Sequence, residues 1–227
     1  MASSYRQHLP RPAEARGAGP AAWKAVPPEL RTSVPIRRVR DAFANRPAID
    51  VPDSIDASVL IPIQERDGEA TVVMIRRADD LANDAGHVAF PGGHVESEED
   101  PIRAALREAN EEIGLDPSLV EVISTLAPFG RRLHQERVLP VVGIVNGQPD
   151  LVPDRREVAA ILEVPIASLA SDGASWQENW GSDEPGFVMT FFAGLPELGD
   201  DLVWGLSARI LELVLSTIFP GRQDLSE

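Results

Sequence analysis

The chain has 227 residues, a formal net charge of -15, 43% hydrophobic and 25% charged residues, and no cysteine. Those values describe a soluble globular protein; they exclude disulfides, thiolate metal sites and cysteine nucleophiles, and no apolar run approaches the roughly 20 residues of a membrane-spanning helix. Eight of the 21 basic residues lie in residues 1–40 against only Glu14 and Glu29, so the remainder holds 13 basic and 34 acidic residues, a body that repels a nucleic-acid backbone.

Residues 1–52 are rich in Pro, Ala, Gly and Arg and show little periodicity, which predicts a flexible segment, with Leu30 to Phe43 able to form one short helix. They lack the apolar core of a secretory signal, and their glutamates and prolines spoil a transit-peptide pattern. The ordered body is expected over residues 53–220, with 221–227 as a tail. Within it, Ser58 to Gln64 and Ala70 to Arg76 read as two strands joined by the turn Glu65-Arg66-Asp67-Gly68. A short extended run, His87 to Phe90, ends at Pro91-Gly92-Gly93. Asp100 is a good N-cap and Pro101 suits the first helical position, so a helix is predicted from Pro101 to Ile113, stopped by Gly114. Strands follow at Val120 to Leu126, Val138 to Val145 and Phe187 to Phe192, then a helix from Leu206 to Ile218. Strands on both sides of a helix imply an α/β sheet with helices packed on it.

The informative stretch is GHVESEEDPIRAALREANEEIGL, Gly93 to Leu115. On the predicted helix, Glu108 and Glu112 are one turn apart and share a face, with Glu111 beside them. Like charges at that spacing cost a few tenths of a kcal/mol in an isolated helix. A divalent cation reverses the sign of that contribution, and oxygen-only donors favour Mg²⁺ or Mn²⁺ over zinc. Arg107 is placed to pair with Glu99 across the loop. The small residues Gly92 and Gly93 allow close backbone approach, with the Gly93 carbonyl as a further ligand.

These residues match the pattern G-x5-E-x7-R-E-U-x-E-E-x-G-U, where U is a bulky aliphatic, with only Ala109 departing. The stretch therefore resembles the Nudix box. The resemblance implies a Nudix-type α/β/α sandwich with a mixed central sheet, and hydrolysis of a nucleoside diphosphate linked to another group. By position, Glu108 and Glu112 are expected as metal ligands, Glu111 as a further ligand or general base, and Glu99 and Arg107 as the loop–helix pair. Water is the implied nucleophile. His8, His87, His94 and His134 have no Ser or Cys partner in the sequence and read as loop residues, with His94 near enough to touch substrate.

Outside the box the order of motifs resembles the coenzyme A pyrophosphatase branch of that family. They are Gly86, Phe90, Pro91, Gly92 and Gly93; then Leu139 to Gly143; Glu157-Val158 with Val164-Pro165; and Val203 to Ala208. The resemblance spans about residues 55–218. Ala82, Asp84 and His87 depart from the branch near the expected cleft. The branch implies that coenzyme A or an acyl derivative is cut to 3',5'-ADP and a 4'-phosphopantetheine. Arg77, Arg131 and Arg132 are the candidate phosphate partners, Trp204 is expected to pack rather than to stack on a base, and Glu157 is a further candidate base. Alternatives are another nucleoside diphosphate derivative such as ADP-ribose or a dinucleoside polyphosphate, and a nucleotide-sensing module without turnover. A cytoplasmic protein is expected, as monomer or homodimer, with a small-molecule partner and neither nucleic acid nor membrane.

Overall fold

The computed structural model describes residues 5–221 except 8, 45, 47, 48, 50, 53, 131–135 and 182–186. Its elements in order are β1 (Arg16–Gly17), 3₁₀ turns at Ala22–Ala25 and Pro28–Leu30, α1 (Ile36–Ala44), β2 (Ala57–Arg66), β3 (Glu69–Arg77), β4 (Val88–Ala89) and β5 (Gly92–His94). There follow α2 (Pro101–Ile113), a 3₁₀ turn at Pro117–Leu119, β6 (Val120–Thr125), β7 (Phe129–Gly130), β8 (Arg137–Val145) and β9 (Val158–Pro165). The last are α3 (Ile166–Leu169), β10 (Ser175–Trp180), β11 (Phe187–Phe192) and α4 (Gly205–Ile218).

The main sheet runs β4-β3-β2-β8-β6, with β5 beside β2, β7 beside β8 and β9 beside β3. It is mixed, because β2 and β8 are parallel while the other pairs are antiparallel. One edge of β2 is shared: β3 takes Ile63 to Arg66 and β5 takes Ala57 to Val59. Between them Leu60 donates its N–H to Pro91 O (2.9 Å). The two strands therefore part there, and Gly92 and Gly93 lie in β5 beside Val59 and Ser58 of β2.

Alternation along the strands divides the core in two. Leu60, Val73, Ile75, Leu139 and Val141 face α2 with Ala105, Ala109 and Ile113. Ile61, Ile63, Val72, Met74, Val142 and Ile144 face the other way, onto Val39 and Phe43 of α1 and Ile210, Leu211, Val214 and Leu215 of α4. This is the expected α/β/α sandwich. The predicted helix at Pro101–Ile113 and strand at Phe187–Phe192 have those same bounds, and the hairpin, β6, β8 and α4 differ by one or two residues at their ends. The sequence pattern did not announce β9, β1 or β10, nor that β11 joins the last two in a smaller sheet.

The expectation of a flexible segment over 1–52 is overturned wherever that segment is described. Arg16 and Gly17 pair with Asn179 and Glu178 of β10. Trp23 is fully buried and stacks on Phe192, ring centroids 5.9 Å apart. Arg31 is buried too, donating to the carbonyls of Val26 and Ala170 and pairing with Asp172. Composition misled because the segment makes few regular elements of its own; it is ordered by surfaces that distant residues supply.

Trp23 is thus part of the core beneath α4. Replacing Trp23 by Ala is expected to cost about 3–5 kcal/mol, read as a lower denaturation midpoint; a freely moving segment would show no change.

Candidate functional site

Helix α2 is well defined at both ends. The Asp100 carboxylate accepts from the N–H groups of Ile102 and Arg103, and Pro101 occupies the first helical position. Gly114 closes the helix in the left-handed region (φ 67°), its N–H meeting the carbonyls of Ala109 and Asn110. Ala104, Ala105 and Ala109 are buried against the sheet, so the small residue at 109 brings the helix close to β2 and β5.

That approach sets the carboxylates. Glu112 is 2% exposed; its Oε2 accepts from Gly92 N–H at 2.9 Å. Gly93 sits against Glu108 so closely that a Cβ there would lie 2.6 Å from the carboxylate and push it aside. Burial pushes the Glu112 carboxyl up to about 7; the charges of Glu108 and Glu157 push the same way, while Gly92 N–H and Arg77 oppose. Burial also raises Glu108, with Arg107 opposing and the charges of Glu111 and Glu157 adding.

Arg107 is the hub. Its Nε and Nη2 bind the two oxygens of Glu99 at 3.0 and 3.1 Å. Its Nη1 donates to Glu108 (2.9 Å) and Glu111 (3.1 Å), and Nη2 also reaches His94 O (3.1 Å). The Glu99 carboxyl is held below its usual range, chiefly by the Arg107 hydrogen bonds. Glu111 lies on the outer flank, its side chain 58% exposed. It is thus brought to Arg107 but not to the buried face of Glu112.

Across the cleft, successive residues of β3 point to opposite faces. Arg77 faces α2, its Nη1 3.8 Å from Glu112 Oε1, and its Nε is buried without a hydrogen-bond partner among the described residues. Arg76 faces away, to Asp201 (3.4 Å) and Asp79 (3.5 Å). His87, read from the sequence as a loop residue, lies edge-on to Trp204, centroids 5.3 Å apart. Burial lowers the pKa of His87; Asp84 opposes that and the charge of Arg77 adds to it. Trp204 packs beside Trp180, Met189 and Phe191. His94 is exposed, with Nε2 3.7 Å from Glu136. Glu157 precedes β9, and its backbone accepts from Ala78 N–H (2.8 Å). Its charge adds to the upward shift of both Glu108 and Glu112. Arg131, Arg132, His8 and His134 lie outside the described residues.

Among the described residues, no three His, Asp or Glu side chains converge closely enough to hold an ion in this arrangement. Arg107 draws Glu108 and Glu111 outward, while Gly92 holds Glu112 inward. The donors nevertheless fit a hard divalent cation. They are oxygens only, Glu108 and Glu112 are desolvated and repel each other, and the Gly93 backbone abuts one of them.

A sequence profile described as "NUDIX domain" matches residues 55–202. The chain is 36% identical over 161 residues to Nudix hydrolase 15, mitochondrial, of Arabidopsis thaliana, covering 68% of this chain and 55% of that protein. It is 35% identical over 156 residues to an uncharacterized Nudix hydrolase, NudL, of Yersinia pestis (strain Pestoides F), covering 68% of this chain and 75% of that one. The chain thus spans about half the length of the plant relative. Among solved structures, a Nudix hydrolase from M. smegmatis, RenU, is similar at 28% identity and a TM-score of 0.45, over 51% of this chain and 73% of that one.

A carboxyl raised to about 7 destabilises the folded chain as it ionises. Its contribution is fully present below the unfolded value of 4.5 and is lost as pH climbs through about 7. In chelator-treated protein, stability should therefore fall between those two pH values. Glu112→Gln should flatten the fall and be the more stable variant at pH 8, by on the order of 1–3 kcal/mol; melting both proteins across that range checks it.

Proposed function

The chain belongs to the Nudix family, and from that premise we propose that it hydrolyses a pyrophosphate bond in a nucleoside diphosphate derivative with the help of Mg²⁺ or Mn²⁺. The observation that carries this reading is the pair Glu108 and Glu112, desolvated one turn apart on α2 and facing the glycine turn and Arg77. Neither fold nor packing gains from burying two like charges there.

In this reading Glu108, Glu112 and the Gly93 carbonyl hold the cation, with Glu111 joining as a further ligand. Once bound, the cation supplies charge neutralisation for the diphosphate and acidifies a coordinated water. The residues of the chain do the rest. Arg77, its Nε without a hydrogen-bond partner among the described residues, offers a donor to a phosphate oxygen on the far side of the cleft. Arg107 fixes the loop from His94 to Glu99 on the helix, so the glycine turn keeps its distance from the carboxylates. A carboxylate must accept the proton of the attacking water. Glu111, the residue expected from position, is engaged by Arg107, and Glu157, just before β9, is the second candidate for the general base. His87, whose pKa burial lowers, packs edge-on to Trp204 and follows the Arg77 strand, so in this reading the pair offers the substrate an uncharged surface beside Arg77.

Coenzyme A or an acyl derivative is the substrate favoured by the order of motifs outside the box, from Gly86 through Val203 to Ala208. The products are then 3',5'-ADP and a 4'-phosphopantetheine. The purified chain with Mg²⁺ or Mn²⁺ should release these from coenzyme A and leave diadenosine polyphosphates and ADP-ribose largely intact, with products identified by mass. Cutting of ADP-ribose but not coenzyme A would move the substrate and keep the reaction. Glu108→Gln and Glu112→Gln should each lower kcat/KM by more than about 100-fold, since even groups that merely support metal ligands are worth roughly 10–100-fold. Unchanged metal-dependent turnover in both would refute the site.

A further inference from the structure

Gln7, which lies before the family domain, reaches the loops beside this site. Gln7 is 7% exposed and uses its whole amide. Its Nε2 donates to Gly86 O (2.8 Å) and to Asp201 Oδ1 (3.1 Å), and its Oε1 accepts from Leu202 N–H (2.8 Å). The three partners sit on two separate loops, one leading into β4 and one leading into α4.

Both loops carry a wall of the site. The Gly86 carbonyl belongs to the peptide unit whose N–H is that of His87, and this N–H in turn donates to Asp84 O (3.1 Å). Gln7 and Asp84 thus hold the two ends of one peptide plane, the plane that carries His87. His87 O then accepts from Arg77 N–H (2.9 Å), tying the same loop to the strand of the cleft arginine. On the other side, Leu202 lies two residues before Trp204, the partner of the His87 ring. Asp201, besides meeting Gln7, pairs with Arg76 and Arg6.

We propose that Gln7 is a positioning residue for substrate: it latches the 78–87 loop to the 200–204 loop, and so fixes His87 against Trp204 beside Arg77. The proposal rests on the cleft being the diphosphate site. The role falls to a neutral amide because the partners are two acceptors and one donor, a set that Gln matches and a carboxylate or an ammonium does not. Nothing in the family pattern reaches this far, since the matching region begins at residue 55. The latch is a property of the chain's own N-terminal arm.

The test uses Gln7→Ala and Gln7→Met in the full-length chain, the second keeping volume while removing every hydrogen bond. Two measurements are made: amide hydrogen exchange across residues 78–87 and 200–204, and steady-state kinetics with coenzyme A and Mn²⁺. Loss of the latch should speed exchange in both loops about tenfold and raise KM by a similar factor, with kcat within about twofold, the size expected for breaking buried hydrogen bonds that order a binding loop. Unchanged exchange in Gln7→Met overturns the latch. Faster exchange with unmoved KM overturns the positioning role and leaves Gln7 a structural tie. Should the wild-type chain leave every diphosphate intact, it is the functional reading that fails, and the exchange data still decide whether the two loops are latched.

Discussion

Burying Glu112 under the glycine turn is the costly act on which the rest of the structure is arranged. A carboxylate out of water is unfavourable unless something shares its charge. Among the described residues, the chain offers one N–H from Gly92 and a guanidinium 3.8 Å away. Placing Glu108 one turn earlier and Glu157 within electrostatic reach makes matters worse. Each neighbouring feature then has a physical purpose. Asp100 and Gly114 hold the helix rigid at both ends, Ala105 and Ala109 let it press close, and Gly93 yields the space that the Glu108 carboxylate occupies. A helix able to slide or fray would relieve the repulsion, and this one is prevented from doing so.

Arg107 makes the arrangement tolerable in the absence of a cation. With three carboxylates and a backbone carbonyl around one guanidinium, it acts as an internal counter-ion. It binds oxygens of Glu108 and Glu111, the same groups that would face a cation. Planar, five-donor geometry is essential to this role; an ammonium on a flexible stem cannot serve four acceptors at once.

Much of this was legible in the sequence, for identifiable reasons. The box residues lie within one helix and its entry loop, so their relations follow from helical period and from capping chemistry, and both are local. The near-continuous apolar runs of β2, β3 and β8 similarly revealed strands that are buried on both faces. What escaped depends on residues far apart in the chain. β9 was hidden because its half-buried residues, Val158 to Pro165, carry no clean alternation. β10 gains its order from β11 and β1. Glu157 gave only a faint signal, an acidic residue before Val158, and its bearing on Glu108 appears only when β9 lies beside β3. Composition led astray most at the N-terminus, where Pro, Gly and Arg are the signature of a loose segment, yet Gln7, Trp23 and Arg31 are buried in surfaces assembled by others.

The pairing of Arg16 with Asn179 in the small sheet has a consequence for how the molecule comes into being. Arg16 and Trp23 precede their partners Asn179 and Phe192 by more than 150 residues of chain. Closing so long a loop carries an entropic toll that local helices escape. Assembly of the small sheet is accordingly a final event in folding, and in the reverse direction the leading segment is the natural first strand to peel away, uncovering the aromatic floor beneath α4.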